Sequence, residues 1–428
     1  RDWAGTYYLV ALYDRALTNT EVSQNHSAGH LIGNNNPPPT ATPPPTSTPP
    51  ANGGGAWTQS QKLENGNVDG DFFGGSVAID GNTMVVGTWF DDDIATDAGA
   101  AYVYVYDGST WVQQAKLTAS DGAASDFLGQ SVAIDGDTVL IGSEWIDNGL
   151  AGSSSGAVYV FTRSGTTWTQ EAKLTPNDGG PNDRFGQDVD FDGDTVVAGA
   201  HLDHSVADDS GSAYIFVRNG TTWTQEAKLV ASDGDPTDYF GYSVAVDGDT
   251  AAIAANQAGA VGYLEVGAVY IFRRTGTSWT EEAKLMASER DPFDEMGNDI
   301  DISGDTVVAG SREGGYAYLY TFDGTTWSEA TKLVASNNHA LFGQAVSLQN
   351  NHLVIGAPGG ISTEGAVYVF EKTSAGWAET AILSGTDTQA GDWFGESAAL
   401  HNTTIAVGAR VTNSNGALYI FENPNLLP

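Results

Sequence analysis

The chain has 428 residues, a formal net charge of −37 and a sequence pI of about 4.1, and it contains no cysteine. A surface this acidic repels nucleic-acid phosphates and anionic lipid headgroups, so we expect no nucleic acid partner. The cysteine count excludes disulfides and thiolate chemistry, and no run of 18 apolar residues is present, so we expect no membrane insertion.

The first segment, residues 1–33, is too short to bury a core of its own. It predicts a strand from Tyr7 to Tyr13, followed by a turn in which Thr18 and Glu21 have the spacing of a capping box. The ending "YDRAL" and the Glu-Val that follows it resemble the closing segment of laminin-G-like, concanavalin-type jelly rolls. That resemblance implies the C-terminal remnant of such a domain, a kind that commonly binds glycans or extracellular proteins.

Residues 34–56 form a linker. The run "NNPPPTATPPPTSTPPANGGG" has too few apolar side chains to pack and too many prolines to fold. Its proline-rich part is extended, at about 3 Å per residue, and the glycines that follow form a flexible joint.

Residues 57–428 contain seven repeats of one unit. A Phe-Gly pair or its equivalent recurs at intervals of 46 to 57 residues, at Phe73, Leu128, Phe185, Phe240, Met296, Phe342 and Phe394. A tryptophan that opens runs such as "WTQEAKL" recurs with it, at Trp57, Trp111, Trp168, Trp223, Trp279, Trp327 and Trp377. A period near 50 residues with about four short strands per unit is typical of radial repetition.

Each unit predicts four strands, exemplified by "FGQSVAI", "DTVVAGA", "GAVYVF" and "WTQEAKL", and none has helical spacing. We therefore predict an all-β fold, a seven-bladed β-propeller of four-stranded antiparallel blades. A β-sandwich is the alternative, but seven similar units favour a ring. The last unit ends after its third strand, so residues 57–63 are predicted to join the last blade as its outer strand and close the ring.

The array resembles the FG-GAP repeats of the integrin α-chain propeller and of many bacterial surface proteins. The resemblance rests on Phe-Gly at five of seven sites and on second strands that end in Gly-Ala, as at Gly199-Ala200 and Gly408-Ala409. It implies a seven-bladed propeller used for binding. Integrin-type repeats carry a calcium loop between the first two strands, whereas here that connection is a tight Asp-Gly hairpin, so those calcium sites are not carried over.

The opposite face of the ring should carry function, because its loops are longer. Between the second and third strands, the glycine positions lie 12 to 14 residues apart in the first four units and 5 to 9 apart in the last three. These longer loops contain acidic and aromatic side chains, which can coordinate calcium, bond sugar hydroxyls or stack on a pyranose. The predicted ligand-binding residues are Trp89, Phe90, Asp91, Asp92, Asp93, Trp145, Asp147, Asp203, Asp208, Asp209 and Tyr263.

We also predict a calcium site in the first of these loops, at Asp91, Asp92, Asp93 and Asp97. The alternative is that the acids cap their own loops and that Trp89 and Trp145 pack between blades. A second acid lies two residues before the Phe-Gly position in six units, at Asp71, Asp126, Asp183, Asp238, Asp294 and Asp392. Its regularity predicts an architectural role, in which it accepts backbone N–H groups in a turn.

No catalytic motif is found in the sequence, so an enzyme is not expected. We expect a non-catalytic binding or adhesion module, monomeric within a larger secreted or cell-surface protein, that recognises a glycan or an extracellular protein. The alternatives are the substrate-binding part of a carbohydrate-active enzyme and a structural spacer.

Overall fold

A computed structural model describes residues 57–66, 70–148, 152–259, 265–359, 363–412 and 415–426. The predicted jelly-roll remnant, the linker and Tyr263 lie outside these residues. The described part of the chain forms 28 β-strands in seven four-stranded antiparallel sheets, which confirms the predicted seven-bladed propeller. It contains no helix long and apolar enough to cross a membrane.

Each blade runs from an inner strand at the central channel to an outer strand at the periphery. Blades 1 to 4 consist of β2 Ser76–Asp80, β3 Thr83–Thr88, β4 Ala100–Tyr106 and β5 Trp111–Leu117; β6 Val132–Asp135, β7 Thr138–Ser143, β8 Ala157–Ser164 and β9 Thr167–Leu174; β10 Phe185–Asp192, β11 Thr195–Ala200, β12 Ser212–Asn219 and β13 Thr222–Leu229; β14 Phe240–Asp247, β15 Thr250–Ala255, β16 Ala268–Thr275 and β17 Ser278–Leu285. Blades 5 to 7 consist of β18 Ile300–Ser303, β19 Thr306–Ser311, β20 Tyr316–Phe322 and β21 Trp327–Val334; β22 Val346–Gln349, β23 His352–Ala357, β24 Ala366–Thr373 and β25 Gly376–Leu383; β26 Phe394–His401, β27 Thr404–Ala409, β28 Ala417–Glu422 and β1 Thr58–Leu63.

The N-terminal strand β1 closes the ring as the sequence predicts. It pairs antiparallel with β28, with Thr58 opposite Glu422 and Leu63 opposite Leu418. A β-bulge interrupts this pairing, and the other six outer strands have a bulge at the equivalent step. The first strand of the array is therefore a full structural equivalent of the missing outer strand.

The hydrophobic core is divided into seven clusters, and each cluster lies between two neighbouring blades. The cluster that joins blade 7 to blade 1 includes Leu63, Phe73 and Leu418, all buried. Because each blade covers a face of the next, no sheet has a buried face without a neighbour.

The Phe-Gly signature has a packing role at each blade boundary. In blade 3, Phe185 is fully buried and its ring meets Tyr214 edge to face. Gly186 has a φ of +89°, and a Cβ there would lie 2.5 Å from the carbonyl oxygen of Ala157 in blade 2. The aromatic ring fills the blade interior, while the glycine lets two backbones approach closely.

The acid before Phe-Gly has the predicted architectural role. In blades 2, 3, 4, 5 and 7 its carboxylate accepts the N–H of the residue three positions earlier, at 2.5 to 2.9 Å. These bonds hold the turn that leads into each inner strand.

Two-residue hairpins make one face of the ring short and repetitive. The residue that ends each of six inner strands accepts the backbone N–H of the next blade's hairpin, as when Asp135 accepts from Gly193 at 2.8 Å and Asp192 from Gly248 at 2.7 Å. The Asp-Gly repeat therefore also links neighbouring blades around this face. The sequence analysis assigned it only to the turn itself.

Four aspartates line one sector of the central channel. They lie on the inner strands of blades 3 and 5, and each accepts a backbone N–H from the blade that follows: Asp188 from Val244, Asp190 from Val246, Asp299 from Val346 and Asp301 from Leu348, at 2.7 to 2.8 Å. Burial raises the pKa of Asp188 and Asp190 to about 6 and that of Asp299 to about 7, and it raises the pKa of Asp301 well above 3.8.

The raised pKa values of these aspartates predict that the protein becomes less stable as the pH rises. Their folded-state pKa values exceed the ordinary value of 3.8, so the native protein binds more protons than the unfolded chain in the interval between. The stabilisation is complete below about pH 4 and is lost as the pH rises through about 6 to 7. We expect the melting temperature to fall between about pH 5 and pH 8 at constant ionic strength.

The matched control for this prediction combines Asp188→Ser, Asp190→Ala, Asp299→Ser and Asp301→Ala. These changes place in blades 3 and 5 the serine and alanine that stand at the same positions in blades 1, 2 and 4. The melting temperature of this fourfold variant should depend less on pH across this interval. If the melting temperatures of the two proteins change with pH in parallel, these aspartates are not the source of the pH dependence.

Candidate functional site

The longer loops lie on the face opposite the hairpins, as predicted, but their acids do not converge on one point. In blade 1, Asp91 is fully buried and accepts hydrogen bonds from Tyr102 Oη at 3.0 Å and Lys116 Nζ at 2.7 Å. Lys116 also pairs with Asp93. Asp92 is exposed and accepts the N–H of Asp97 at 2.6 Å. These acids hold the loop in which they lie.

The acids of blade 3 behave in the same way. Asp203 is buried and accepts hydrogen bonds from Tyr214 and Lys228, each at 2.8 Å. The N–H of Asp209 donates to Nδ1 of His204 at 2.9 Å. Asp208 is exposed at the tip of this loop.

Blade 2 places its two predicted residues differently from each other. Asp147 is exposed and caps its own loop by accepting the N–H of Ser154 at 2.7 Å. Trp145 is 41% exposed and faces away from the core. Both side chains are exposed, but Asp147 is engaged in its own loop.

Among the described residues, no group of three or more histidine and acidic side chains is arranged to hold a metal ion. The counter-ion of Asp91 and Asp93 is the Lys116 ammonium. Burial and the neighbouring Asp92 raise the pKa of Asp97. Calcium binding by these four aspartates stays a prediction.

The structure does bring the predicted aromatic residues together, along with others. Phe90 packs against Phe72 at 4.9 Å and Phe127 at 5.2 Å between ring centroids, and Phe127 packs against Trp145 at 5.8 Å. The Arg184 guanidinium lies 3.2 Å from the centroid of Trp145. These contacts form a continuous chain across two blade boundaries, from blade 1 to blade 3.

We call this surface the rim arc. Its residues are partly exposed and surround the channel on the loop face, from blade 7 through blade 4. They are Trp393 and Arg410 of blade 7; Phe72, Trp89 and Phe90 of blade 1; Phe127 and Trp145 of blade 2; Arg184 and His201 of blade 3; and Tyr239 and Tyr242 of blade 4.

A strained turn recurs in every blade, and in five blades it positions a residue of the rim arc. The residue immediately before the Phe-Gly position has a left-handed backbone, with φ between +50° and +61°, at Phe72, Phe127, Arg184, Tyr239, Glu295, Leu341 and Trp393. Bulky residues are rare in this conformation, which favours glycine or asparagine. Because the conformation recurs while the side chain differs, the fold determines the turn and leaves the side chain free to vary.

The rim arc borders the mouth of the central channel, a cavity of about 580 Å³. Two sets of residues line the channel mouth: those directly after the second strands, and those two positions beyond the phenylalanine of Phe-Gly or its equivalent. Together with Trp393 they are Gly75, Trp89, Gln130, Gln187, Tyr242, Asn298, Arg312, Gln344, Glu396 and Arg410. Its surface therefore combines aromatic rings, carboxamides and paired charges.

Two groups of charged side chains support this mouth. In blade 7, Arg410 Nε lies 2.7 Å from Glu396 Oε2, and burial raises the Glu396 pKa to about 7. Between blades 2 and 3, burial raises the pKa of Glu144, and burial with the nearby Arg184 charge lowers the pKa of His201 to about 3. His201 is thus a neutral imidazole at physiological pH.

The sequence analysis missed most of the rim arc. Phe72, Phe127, Arg184, Tyr239 and Trp393 stand in one column of the repeat, directly before the Phe-Gly position. That column varies between repeats while its neighbours recur, and this contrast was the signal that could have identified it. The lengths of the loops instead pointed to the acidic residues as ligand contacts.

The Lys116–Asp91 pair provides a test of the role assigned to the acids. Lys116→Met leaves a carboxylate that is 0% exposed without its cation, so we expect a loss of about 3–5 kcal/mol in the free energy of unfolding. Lys284→Met is the matched control, because its partner Asp233 is 55% exposed and its loss should cost about 1 kcal/mol or less. Urea unfolding measures both, and equal losses would contradict the buried pairing.

Comparison with known protein families matches the FG-GAP repeat seven times, at residues 57–104, 111–161, 168–216, 223–272, 279–320, 327–370 and 377–421. No curated protein matches the chain. The matched segments cover most of the seven blades and begin with the strand that closes the ring. The chain therefore belongs to the FG-GAP repeat family.

Proposed function

We propose that this propeller is a non-catalytic extracellular binding or adhesion module that recognises a glycan or protein ligand through its loop face. An FG-GAP propeller is consistent with a binding or adhesion module. The observation that carries the proposal is the rim arc, in which five of the seven strained turns display variable and large side chains around one opening.

The asymmetry of the ring supports this proposal. The hairpin face repeats the same short turns and the same inter-blade hydrogen bonds, which a stable scaffold requires. The loop face varies from blade to blade and concentrates tryptophan, phenylalanine, tyrosine and arginine. These residue types dominate binding energy at recognition surfaces, because large rigid rings bury area with little loss of side-chain entropy.

The proposed site differs in extent from the one predicted from the sequence. It keeps Trp89, Phe90 and Trp145, and it extends to blade 7 on one side and to blade 4 on the other. The acids of the loops surround it, and a direct part for them in binding stays a prediction. Secretion or surface display, and monomeric action within a longer protein, are parts of the same proposal.

A substitution at Trp145 tests the proposal. Its ring contacts Phe127 and Arg184 on one side and is exposed on the other, so Trp145→Ala should remove contact area without opening the core. In a biolayer-interferometry screen of neutral glycans and extracellular matrix proteins, we expect at least one ligand, bound about tenfold more weakly by the variant.

Ile382→Ala is the control, because Ile382 is exposed to a similar extent, 45%, on an outer strand away from the loop face. It should bind like the unchanged protein. Equal binding by all three proteins would exclude the rim arc as the site. Depolymerisation of a bound polysaccharide by this chain would instead show an enzyme.

A further inference from the structure

We infer that the channel mouth holds the terminal sugar of a neutral oligosaccharide, with the Trp89 indole as its stacking platform. This inference rests on the proposed function and names the ligand class and its orientation. Three features carry it: the volume of the channel, the fixed position of one tryptophan ring at its mouth, and the charges around it.

The cavity is of the right size for a small part of a ligand. Its volume of about 580 Å³ lies within the range of about 300–1,000 Å³ that is usual for small-molecule sites. Inner strands from all seven blades line it, so only a chain end can enter from the loop face. A long polymer would have to cross the rim arc and present its terminus to the mouth.

Trp89 occupies a space in the mouth that a side chain fills in other blades. Blades 2, 3 and 6 carry glutamine two positions beyond the phenylalanine of Phe-Gly or its equivalent, but blade 1 carries Gly75. The Trp89 ring fills the space, since a Cβ on Gly75 would lie 2.8 Å from it. The six-membered ring of the indole therefore packs beside Gly75 and lines the cavity, as a ring that stacks on a pyranose there must.

Carboxamides supply the complementary polar groups. Gln130 donates to Glu144 at 2.9 Å, and Gln344 accepts from Arg312 at 3.2 Å, so both side chains are oriented by a neighbour. Gln187 lines the same cavity. Each carboxamide has both donors and an acceptor, which suits hydroxyl groups that also donate and accept.

The charges of the mouth disfavour an anionic ligand. Arg410 is paired with Glu396, and Arg312 with Glu313 at 2.8 Å, so neither offers an uncompensated positive charge to an anion. The four aspartates that line the channel and the exposed Asp92 and Asp147 outside it repel sulfated or uronic acid chains. A neutral oligosaccharide does not meet this repulsion.

Gly75→Gln is the designed test, because the glutamine found in three other blades would displace the Trp89 ring. The probes are neutral di- to hexasaccharides printed through their reducing ends, with free glucose, galactose, mannose and N-acetylglucosamine as competitors. We expect binding that a monosaccharide abolishes, that is similar for short and long chains, and that does not change with salt. Gly75→Gln should weaken it at least about tenfold.

Trp89→Ala provides the same test should Gly75→Gln fail to fold, and Trp145→Ala separates the mouth from the outer rim. Loss with Gly75→Gln or Trp89→Ala supports the inference. Binding that is lost only with Trp145→Ala and resists monosaccharides overturns it while the proposed function stands. Binding restricted to acidic glycans or to proteins also overturns the inference. If no probe binds in either screen, both the inference and the proposed function are contradicted.

Discussion

No blade of this protein can cover its own faces, and the structure depends on that constraint. Each of the seven cores lies between two blades, so the ring must close for the last blade and the first to be covered. Closure uses the strand Thr58–Leu63, which completes the blade formed by the end of the array. The first and last strands of the array therefore lie in one sheet, and β1 pairs with the edge of β28 that would otherwise be exposed.

The same constraint separates scaffold from site. Groups that recur along the repeat build the scaffold. Large apolar side chains, phenylalanine in five units, fill the interior; glycines allow the backbones of neighbouring blades to approach; and the ends of six inner strands accept the next hairpin's N–H. Side chains that differ between units lie at the rim, where the packing of the ring does not constrain their identity. The left-handed residue before Phe-Gly is the clearest example, since its strained turn is constant while its side chain varies from Phe72 to Glu295 to Trp393.

The fold could be predicted from the sequence because it follows from periodicity. The Phe-Gly and tryptophan intervals, the four strands of each unit and the displaced opening strand are all local or repeating signals. The site was predicted only in part, because its convergence depends on distances across blades. Trp89 and Trp145 were found as loop aromatics, but Arg184 and Trp393 join them only through the curvature of the ring.

The acids show that loop composition does not identify the partner of a charged residue. Asp91 lies in a run of three aspartates, and the lysine that it contacts comes from the outer strand 25 residues further along the chain. That lysine belongs to the repeated "AKL" ending, and in other blades it pairs with a different acid, such as Asp121 or Asp233. The repeat thus supplies a lysine at this position in six of the seven blades, and in blade 1 that lysine pairs with the acids of the loop.

Native-state hydrogen exchange of the closing strand tests ring closure most directly. The amides of β1 that pair with β28 should be protected to the same degree as the equivalent amides of the outer strands β9 and β13, because all three complete a four-stranded blade. Exchange of β1 at the rate of an unpaired segment, with β9 and β13 still protected, would contradict the closed ring.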